Sequence, residues 1–331
     1  MSTYLTYRSY RECDLPGVLR LWEEEAGWGS LTPETWRQWY IDTPHGPCTT
    51  VVGVDDAGQI AGQEIFTPSV LTVGGCEVRA LRLSAPILAK SLRSGSARSR
   101  EHPVIRLYVV GAEAAAAAGF GLVYALPEHA WLPFFRWSQR LGIPRGDFAI
   151  SEYRCVALPL ASIGATVARA SRGLLARQAE DFGADYDELW QTAVDTFPIQ
   201  CGVVRSRSWL RFKNGGRIMI ETREPGSGAL VGYAAIKRKT GLIADILARS
   251  PGELPAVLAA CAGAVAEAQH AGTVFPFAAL QAMETSTLRP ALHELGFEPV
   301  AYKFAFVCAT LDPGLSCEAV MPDRWYVNPG D

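Results

Sequence analysis

Two stretches of the chain show the same succession of apolar and polar positions. The first begins at Thr35, TWRQWYIDTPHGPCTTVVGVDDAGQIAGQEIF, and predicts a helix that starts with tryptophan, a break, a strand, a polar turn and a second strand opening at Gly62. The second begins at Ser208, SWLRFKNGGRIMIETREPGSGALVGYAAI, and predicts the same elements, with Gly232 in the corresponding place. The pattern therefore predicts an internal repeat.

The likeness continues through the elements that follow. The stretches EAAAAAGFGL and AEAQHAGTV each predict an alanine-rich helix that ends at a left-handed glycine, Gly119 or Gly272, before an apolar strand. RWSQRLGIPRGDFAI and ALHELGFEPVAYKFAFV then predict an amphipathic helix, a corner at Gly142 or Gly296, and a closing strand. Chance recurrence of glycine-capped helices is the alternative, but three features in one order favour a duplicated α/β unit.

Composition and charge narrow the class of protein. A length of 331 residues favours two domains, and a hydrophobic fraction of 49% predicts a globular chain with ample core. The formal net charge of -3 argues against a nucleic-acid partner. The eight cysteines stand singly without metal-ligand spacing, so we expect a reducing compartment and no metal site. No apolar run approaches the ~18 residues of a membrane span, and the first residues lack a signal-peptide core, so we expect a cytoplasmic protein without a membrane partner.

The order of elements, with the turn DAGQIAG, the helix and strand AAAAAGFGLVYALPE and the two Leu-Gly corners, resembles the GNAT acyltransferase fold in both halves of the chain. The resemblance implies an α/β protein of two tandem GNAT-like domains, each a mixed, mostly antiparallel sheet flanked by helices. We expect an N-terminal, donor-binding domain at 1–158, a linker and entry helix at 159–181, and a degenerate C-terminal domain at 182–331.

The resemblance also implies an acyl-CoA, such as acetyl-CoA, as donor and a small amine-bearing metabolite as acceptor. In such proteins the donor lies where the fourth and fifth strands separate. Its pyrophosphate binds backbone N–H groups at the start of the central helix, where unpaired amides and the helix dipole favour an anion. The usual signature there is Q/R-x-x-G-x-G/A, and the segment SLRSGSARSREHP, residues 91–103, is a loose version of it.

Donor binding is therefore expected in this loop, at Arg93, Ser94, Gly95, Ser96, Ala97, Arg98 and Arg100. The arginines are candidate partners for the CoA phosphates. Pro103 fits the first turn of the central helix, and Ser99 or a neighbour fits its N-cap. The alternative for this composition is a solvated loop that binds nothing.

The second half departs further from the signature. Arg249 is the only basic residue before its central helix, Ser250 and Pro251 are expected to cap the helix, and Glu253 lies in the first turn. A carboxylate there occupies the place that a phosphate needs. We expect this half to be a degenerate copy that shapes the acceptor pocket or an interface.

Acyl transfer to an amine requires a base for the ammonium group and an acid for the departing thiolate. The candidate base is Glu64, with Glu128 and His129 as rivals near the end of the fifth strand. Strand alternation places Gln63 and Glu64 on opposite faces, so only one of them can face a cleft. The alternatives are a solvated strand carboxylate for Glu64 and a helix-start residue bonded to backbone for His129.

The acid is where the chain departs from the family, in which a tyrosine often follows the fifth strand. Trp131, Leu132 and Pro133 stand there instead, and Tyr124 on the strand is the candidate substitute, with core packing as its alternative. The nearby aromatic residues are either the core face of a helix or the lining of an apolar acceptor or acyl pocket: Trp131, Phe134, Phe135 and Trp137.

Two hypotheses follow. The first is an acyl-CoA-dependent N-acyltransferase that acts mainly by positioning thioester and amine. The second is a non-catalytic or repurposed protein of the same fold, which binds a metabolite or partner or takes its acyl group from a carrier protein. The sequence carries no information on oligomeric state or acyl chain length.

Overall fold

The computed structural model describes residues 5–93, 99–144, 146–197, 199–315 and 321–331. The chain divides into two compact units. Unit 1 comprises Met1–Ser151 and Phe306–Pro322, and unit 2 comprises Glu152–Ala305 and Asp323–Asp331. Unit 1 therefore includes a segment from the second half of the sequence.

Unit 1 contains a sheet with helices on both faces. Its strands are β1 (Thr6–Ser9), β2 (Thr49–Val54), β3 (Ile60–Val73), β4 (Cys76–Leu88), β5 (Leu122–Ala125) and the first part of β6 (Phe148–Pro159). Its helices are α1 (Leu15–Glu25), α2 (Pro33–Tyr40), α3 (Pro103–Ala117) and α4 (Leu132–Arg140). Strands β1 to β4 pair in chain order and antiparallel, whereas β4 and β5 are parallel.

Two apolar cores lie on opposite faces of this sheet. Phe66 packs with residues of α3 and α4, whereas Ile65 packs with residues of α1 and α2. Because successive side chains of a strand point to opposite faces, the α3 face and the α1 face are distinct. A Cβ added at Gly111 of α3 would lie 2.0 Å from the ring of Phe66, so glycine permits α3 to approach β3 closely.

Unit 2 holds its own sheet and helices. Its strands are β7 (Leu175–Gln178), β8 (Cys201–Val203), β9 (Ile218–Arg223), β10 (Leu230–Ile236), β11 (Ile243–Ala248), β12 (Ala279–Glu284), most of β13 (Glu298–Thr310) and β14 (Trp325–Tyr326). Its helices are α5 (Ala165–Ala170), α6 (Asp185–Thr196), α7 (Arg207–Asn214), α8 (Leu254–His270) and α9 (Arg289–Glu294). Four strands form an antiparallel sheet in the order β11, β10, β9, β7.

The repeated sequence features occupy corresponding places in the two units. A Cβ at Gly62 would lie 3.2 Å from Leu107 of α3, and a Cβ at Gly232 would lie 2.8 Å from Val257 of α8. Each glycine therefore lies where its strand passes beneath the central helix. The predicted helix ends are confirmed, since Gly119 has φ 76° and Gly272 has φ 98°.

The predicted α/β class, with mostly antiparallel sheets flanked by helices, is confirmed. The structure also shows how the closing strand of each half is paired. In unit 1, β5 pairs antiparallel with Val307–Thr310 of β13. In unit 2, β12 pairs antiparallel with Arg154–Pro159 of β6. Each fifth strand thus pairs with the closing strand of the other half of the sequence.

The starts of the two central helices differ. Helix α3 begins at Pro103, as predicted, but its N-cap is His102, whose Nδ1 accepts a 3.3 Å hydrogen bond from the N–H of Val104. Helix α8 begins at Leu254, so the expected cap at Ser250 and Pro251 is wrong. Instead, a turn precedes the helix, in which the N–H of Glu253 donates a hydrogen bond to the carbonyl of Ser250.

Candidate functional site

Strands β4 and β5 of unit 1 separate after a short parallel pairing. The paired residues are Ala80 with Leu122, Leu81 with Val123, and Arg82 with Tyr124. Beyond Arg82, β4 continues along β3 to Leu88, whereas β5 ends at Ala125. A gap therefore opens in the sheet beyond this last pair.

An irregularity in β4 lies beside the gap. Gln63 pairs with Ile87 and Ile65 with Ser84, so β4 carries one extra residue opposite Glu64. Pro86, within this bulge, has no N–H to contribute to a ladder and is compatible with the interrupted pairing. Bulges of this kind commonly occur beside functional sites, where they redirect a strand.

The gap contains a pocket of about 280 Å³. Its aromatic lining is Trp28, Trp131, Phe134 and Phe135. Its polar lining is Glu64, Arg82, Ser84 and Glu128. Val104, in the first turn of α3, also lines it, so the pocket adjoins the N-terminus of that helix. An apolar pocket with a few polar groups is the usual form of a small-molecule site.

Glu64 is the most deeply buried polar group of this pocket. Its exposed fraction is 2%, and its Oε1 accepts no hydrogen bond from the residues that the structure describes. Burial raises the pKa of this carboxyl well above its ordinary value, because the charged form is poorly solvated there. The interpretation of Glu64 as a solvated strand carboxylate is therefore wrong.

The two faces of the sheet both contribute to the pocket. Glu64 lies on the α3 face, two residues before Phe66, and its charge contributes to the raised pKa of Tyr108 of α3. Arg82 follows Leu81, which packs in the α3 core, so alternation places Arg82 on the α1 face. The pocket thus extends through the gap between the strands.

The other predicted catalytic residues separate into two groups. Glu128 lines the pocket and is exposed, at the start of the short 3-10 helix His129–Trp131. His129 is exposed and Tyr124 is buried on β5, and neither lines this pocket. The structure therefore brings Glu64 and Glu128 to one pocket, without His129 and Tyr124.

The predicted donor loop is described only at its ends. Arg93 donates from Nε to the carbonyl of Leu88 at 2.9 Å and forms a 2.6 Å ion pair with Glu25. Arg100 donates to the carbonyl of Leu141 at 2.7 Å. Ser94, Gly95, Ser96, Ala97 and Arg98 lie outside the described residues. Both flanking arginines thus already bind protein groups.

The predicted aromatic cluster lies partly in the core and partly in the pocket wall, and its role as an acceptor or acyl pocket stays a prediction. Phe134 and Phe135 belong to the apolar core of α3 and α4, and they also line the pocket. Trp131 lines the pocket and meets Phe134 edge-on, with ring centroids 5.9 Å apart. Trp137 is absent from this lining.

Sequence reasoning missed three of the polar and aromatic residues that line the pocket: Trp28, Arg82 and Ser84. Trp28 has a sequence signal, because it stands between two glycines, Gly27 and Gly29, although its place in the pocket depends on the tertiary structure. Arg82 and Ser84 have none, since their contribution depends on where β4 leaves β5.

The corresponding place in unit 2 is filled. Strands β11 and β12 meet only through a parallel bridge between Leu242 and Gln281. The cavity near them measures about 10 Å³, which is roughly the room that one water molecule needs. Apolar side chains surround it: Ile243, Ile246, Leu258, Ala282, Met283, Leu288 and Leu292.

Two further observations concern the described part of the chain. No group of three or more His, Cys, Asp or Glu side chains there is placed to hold a metal ion. Its helices include none with both the length and the apolar character that a membrane crossing requires.

Comparison with solved structures places this geometry in a known fold. A GCN5-related N-acetyltransferase from Anabaena variabilis superposes with a TM-score of 0.64 at 13% identity, covering 93% of this chain and 73% of the other. A probable N-acyltransferase from Enterococcus faecalis V583 gives 0.62 at 13% identity, covering 92% and 72%. The chain has the GNAT fold.

A third neighbour extends the likeness to a GNAT protein with a bound donor. Saccharomyces cerevisiae N-myristoyltransferase with bound myristoyl-CoA gives a TM-score of 0.57 at 12% identity, covering 93% of this chain and 83% of the other. No family model and no curated protein matches the sequence. At these identities the likeness establishes the GNAT fold and leaves the activity to be argued from the site.

Proposed function

We propose that this protein is an acyl-CoA-dependent N-acyltransferase that transfers an acyl group to a small amine. Unit 1 would bind the donor, with its thioester in the gap between β4 and β5. The amine would enter the same pocket, and the reaction would proceed by direct attack of the nitrogen on the thioester carbonyl. The GNAT neighbours with acyltransferase names, one of them holding myristoyl-CoA, support this proposal.

One observation carries the proposal: a pocket with two carboxyl groups opens where β4 and β5 separate, beside the N-terminus of α3. Glu64 and Glu128 supply groups for proton transfer. Arg82 also lines the pocket, and its Nε donates no hydrogen bond within the described residues. A buried guanidinium donor of this kind suits the negative charge that develops on a thioester oxygen.

The aromatic wall fits the rest of the reaction. Trp28, Trp131 and Phe134 give the pocket an apolar wall, and electrostatic interactions are stronger beside apolar groups than in bulk water. An amine that has lost its proton is also less costly to desolvate than an ammonium ion. Positioning of a neutral amine against the thioester would account for most of the acceleration.

A second candidate function rests on the donor loop. Arg93 and Arg100 bind protein groups, which favours a donor without nucleotide phosphates, such as an acyl group on a carrier protein. A binding protein without catalysis is the remaining alternative. These candidates differ in the donor that the loop must recognise. Titration with two different donors therefore distinguishes them.

Calorimetric titration with acetyl-CoA and with acetyl-pantetheine tests the proposal. Tighter binding of acetyl-CoA, with amine acylation in a coupled thiol assay, is expected for a CoA-dependent enzyme. Equal binding of the two donors would favour the carrier-protein donor. Binding of neither donor, including longer acyl-CoAs, would contradict the proposed function.

A pair of exposed tryptophans provides a matched control. Trp28 is 61% exposed and lines the pocket, whereas Trp39 on α2 is 44% exposed and is absent from that lining. We expect Trp28→Ala to lower kcat/KM about tenfold, or ~1.4 kcal/mol, and Trp39→Ala to leave it within about twofold. Equal effects of the two substitutions would place the reaction elsewhere.

A further inference from the structure

Glu64 differs from a structural buried acid in one respect, which is that its carboxyl is incompletely bonded. A polar atom left without a protein partner in the interior costs free energy, and such atoms occur at catalytic and binding sites. Oε1 of Glu64 has no partner among the described residues, and the side chain borders a pocket wide enough for a ligand. Glu64 therefore combines an incompletely bonded carboxyl group with a place in the wall of the pocket.

The surroundings of Glu64 favour its neutral form. Its neighbour on β2 is Val51, which is fully buried, and the α3 face contributes Phe66 and Tyr108. Burial is the cause of the raised pKa of Glu64, and Tyr108 is itself a neutral phenol at ordinary pH. A carboxylic acid in such a site donates a hydrogen bond or a proton.

Glu128 lines the same pocket in a different environment. Its side chain is exposed to water at the start of a short helix. Arg82 is the cationic side chain of the pocket lining and lies on the α1 face, away from Glu64 on the α3 face. Two carboxyl groups in unlike environments are the usual arrangement for separate acid and base roles.

We propose that Glu64 is the proton donor to the departing thiolate and that Glu128 is the base that deprotonates the incoming ammonium group. This assignment rests on the proposed acyltransferase function. It reverses the sequence-based prediction that Glu64 is the base.

The protons balance as follows. Glu128 takes one proton from the ammonium group and passes it to water, and the neutral amine then attacks the thioester carbon. The new C–N bond forms as the carbonyl electron pair moves to oxygen. When the carbonyl re-forms, the C–S bond breaks, and sulfur takes the proton of Glu64. The nitrogen, still carrying one proton too many for an amide, returns that proton to the Glu64 carboxylate.

The experiment uses Glu64→Gln, which keeps the shape of the side chain but carries no transferable acid proton. Two donors with the same acyl group are compared: the acyl-CoA and an S-aryl thioester, whose thiolate is a weak base and leaves without protonation. We expect kcat with acyl-CoA to fall about 100-fold and kcat with the S-aryl thioester to fall less than about tenfold. Affinity for acyl-CoA, measured by calorimetry, is expected to change little.

Glu128→Gln is the counterpart variant. Its loss of activity is expected to be the same for both donors and to shrink as the pH rises, because the amine then arrives already deprotonated. Equal losses for the two donors in Glu64→Gln, or no loss at all, would overturn the assignment. Should the glutamine variant fail to fold, Glu64→Met provides an apolar side chain of similar length for the same comparison.

Infrared difference spectra separate this inference from the proposed function. A carboxylic-acid C=O band at neutral pH, present in the wild-type protein and missing in Glu64→Gln, is expected. A spectrum without that band would overturn the role of Glu64 even if acyl transfer is observed. Detection of the band in a protein that neither binds nor transfers acyl groups would reject the proposed function, and the proton-donor role with it.

Discussion

The two units differ where their fourth and fifth strands separate: unit 1 has a pocket there, and unit 2 has apolar side chains. In unit 1 the separation of β4 from β5 leaves a pocket of about 280 Å³, whereas the apolar cavity that Met283 and Leu292 line near β11 and β12 of unit 2 measures about 10 Å³. In unit 1 the strands part after Arg82 and Tyr124, and in unit 2 only a single bridge joins them. Strand separation alone therefore does not make a site, because side chains such as Met283 and Leu292 can fill it.

One buried acid from each unit shows a similar contrast. Asp245 on β11 accepts hydrogen bonds from Arg205 at 3.0 Å and from the hydroxyl of Tyr233 at 2.7 Å. Glu64 on β3 retains an oxygen without a partner among the described residues. A fully bonded acid holds a fold together, and an incompletely bonded acid beside a pocket indicates chemistry.

We expect the largest change in stability from removing the cation that binds the buried acids of unit 2. Arg205 is 0% exposed and binds both Asp245 and Asp331, the latter at 2.8 Å. Arg205→Met would leave two buried carboxyl groups without their cation, so we expect a loss of about 3–5 kcal/mol in the free energy of unfolding. Arg211→Met, which removes an exposed ion pair to Asp181, should cost less than about 1 kcal/mol.

Urea denaturation of these two variants measures the difference. A loss of under 1 kcal/mol for Arg205→Met would show that the acids of unit 2 tolerate missing partners, and would remove the contrast with Glu64.

Alanine substitutions at two mid-helix glycines are expected to change the stability by smaller amounts and in opposite directions. A Cβ at Gly111 of α3 would meet Phe66 at 2.0 Å, whereas a Cβ at Gly263 of α8 meets nothing within 4 Å. Gly111→Ala is expected to destabilise the protein by about 1–3 kcal/mol through overpacking. Gly263→Ala is expected to stabilise it by roughly 0.5–1 kcal/mol through helix propensity. Thermal unfolding of both variants tests the close approach of α3 to β3, and equal signs would contradict it.

The remaining effect is a pH dependence of stability. Because the pKa of Glu64 is raised, the unfolded chain loses this proton above about pH 4.3 while the folded chain keeps it. The contribution of Glu64 to the free energy of unfolding of the wild-type protein therefore falls as the pH rises toward the pKa of the folded state. Glu64→Gln has no such proton, so we expect its free energy of unfolding, relative to wild type, to increase as the pH rises above about 5.

Asp14 provides a control of opposite sign. The hydrogen bond from Arg8 lowers the pKa of Asp14, so its contribution is present above the unfolded pKa and is lost as the pH falls. Asp14→Asn should therefore be most destabilised at neutral pH and approach wild type in acid. A flat pH profile for Glu64→Gln, beside the expected profile for Asp14→Asn, would show that Glu64 is ionised in the folded state.

Local signals in the sequence were sufficient to predict helix ends and the alternation of side chains along strands. Glycines at helix ends, Pro103 at the start of α3, and the alternation that separates Gln63 from Glu64 follow from short-range steric rules. The recurrence of Gly62 as Gly232 also reflects one physical need, since both lie beneath a central helix. The helix ends and the strand alternation depend on neighbours along the chain, whereas the two strand glycines are recognised by their recurrence in the sequence.

Features that depend on distant partners were not predictable. Alternation of apolar residues indicates a closing strand but does not say that β13 pairs with β5. It likewise indicates which face Glu64 points to, but not that the bulge of β4 and the end of β5 leave its carboxyl buried beside a pocket. Trp28, which follows α1, reaches the pocket only because of the tertiary arrangement.

The central claim is that the gap of unit 1, and not its counterpart in unit 2, takes the acyl thioester. Hydrogen exchange of backbone amides with and without acetyl-CoA tests this directly, because a bound ligand slows local opening where it binds. The account predicts slower exchange in peptides covering residues 82–88 and 103–108, with no change in those covering 243–248 and 279–292. Slower exchange in the unit 2 peptides, or unchanged exchange in both sets at saturating acetyl-CoA, would contradict it.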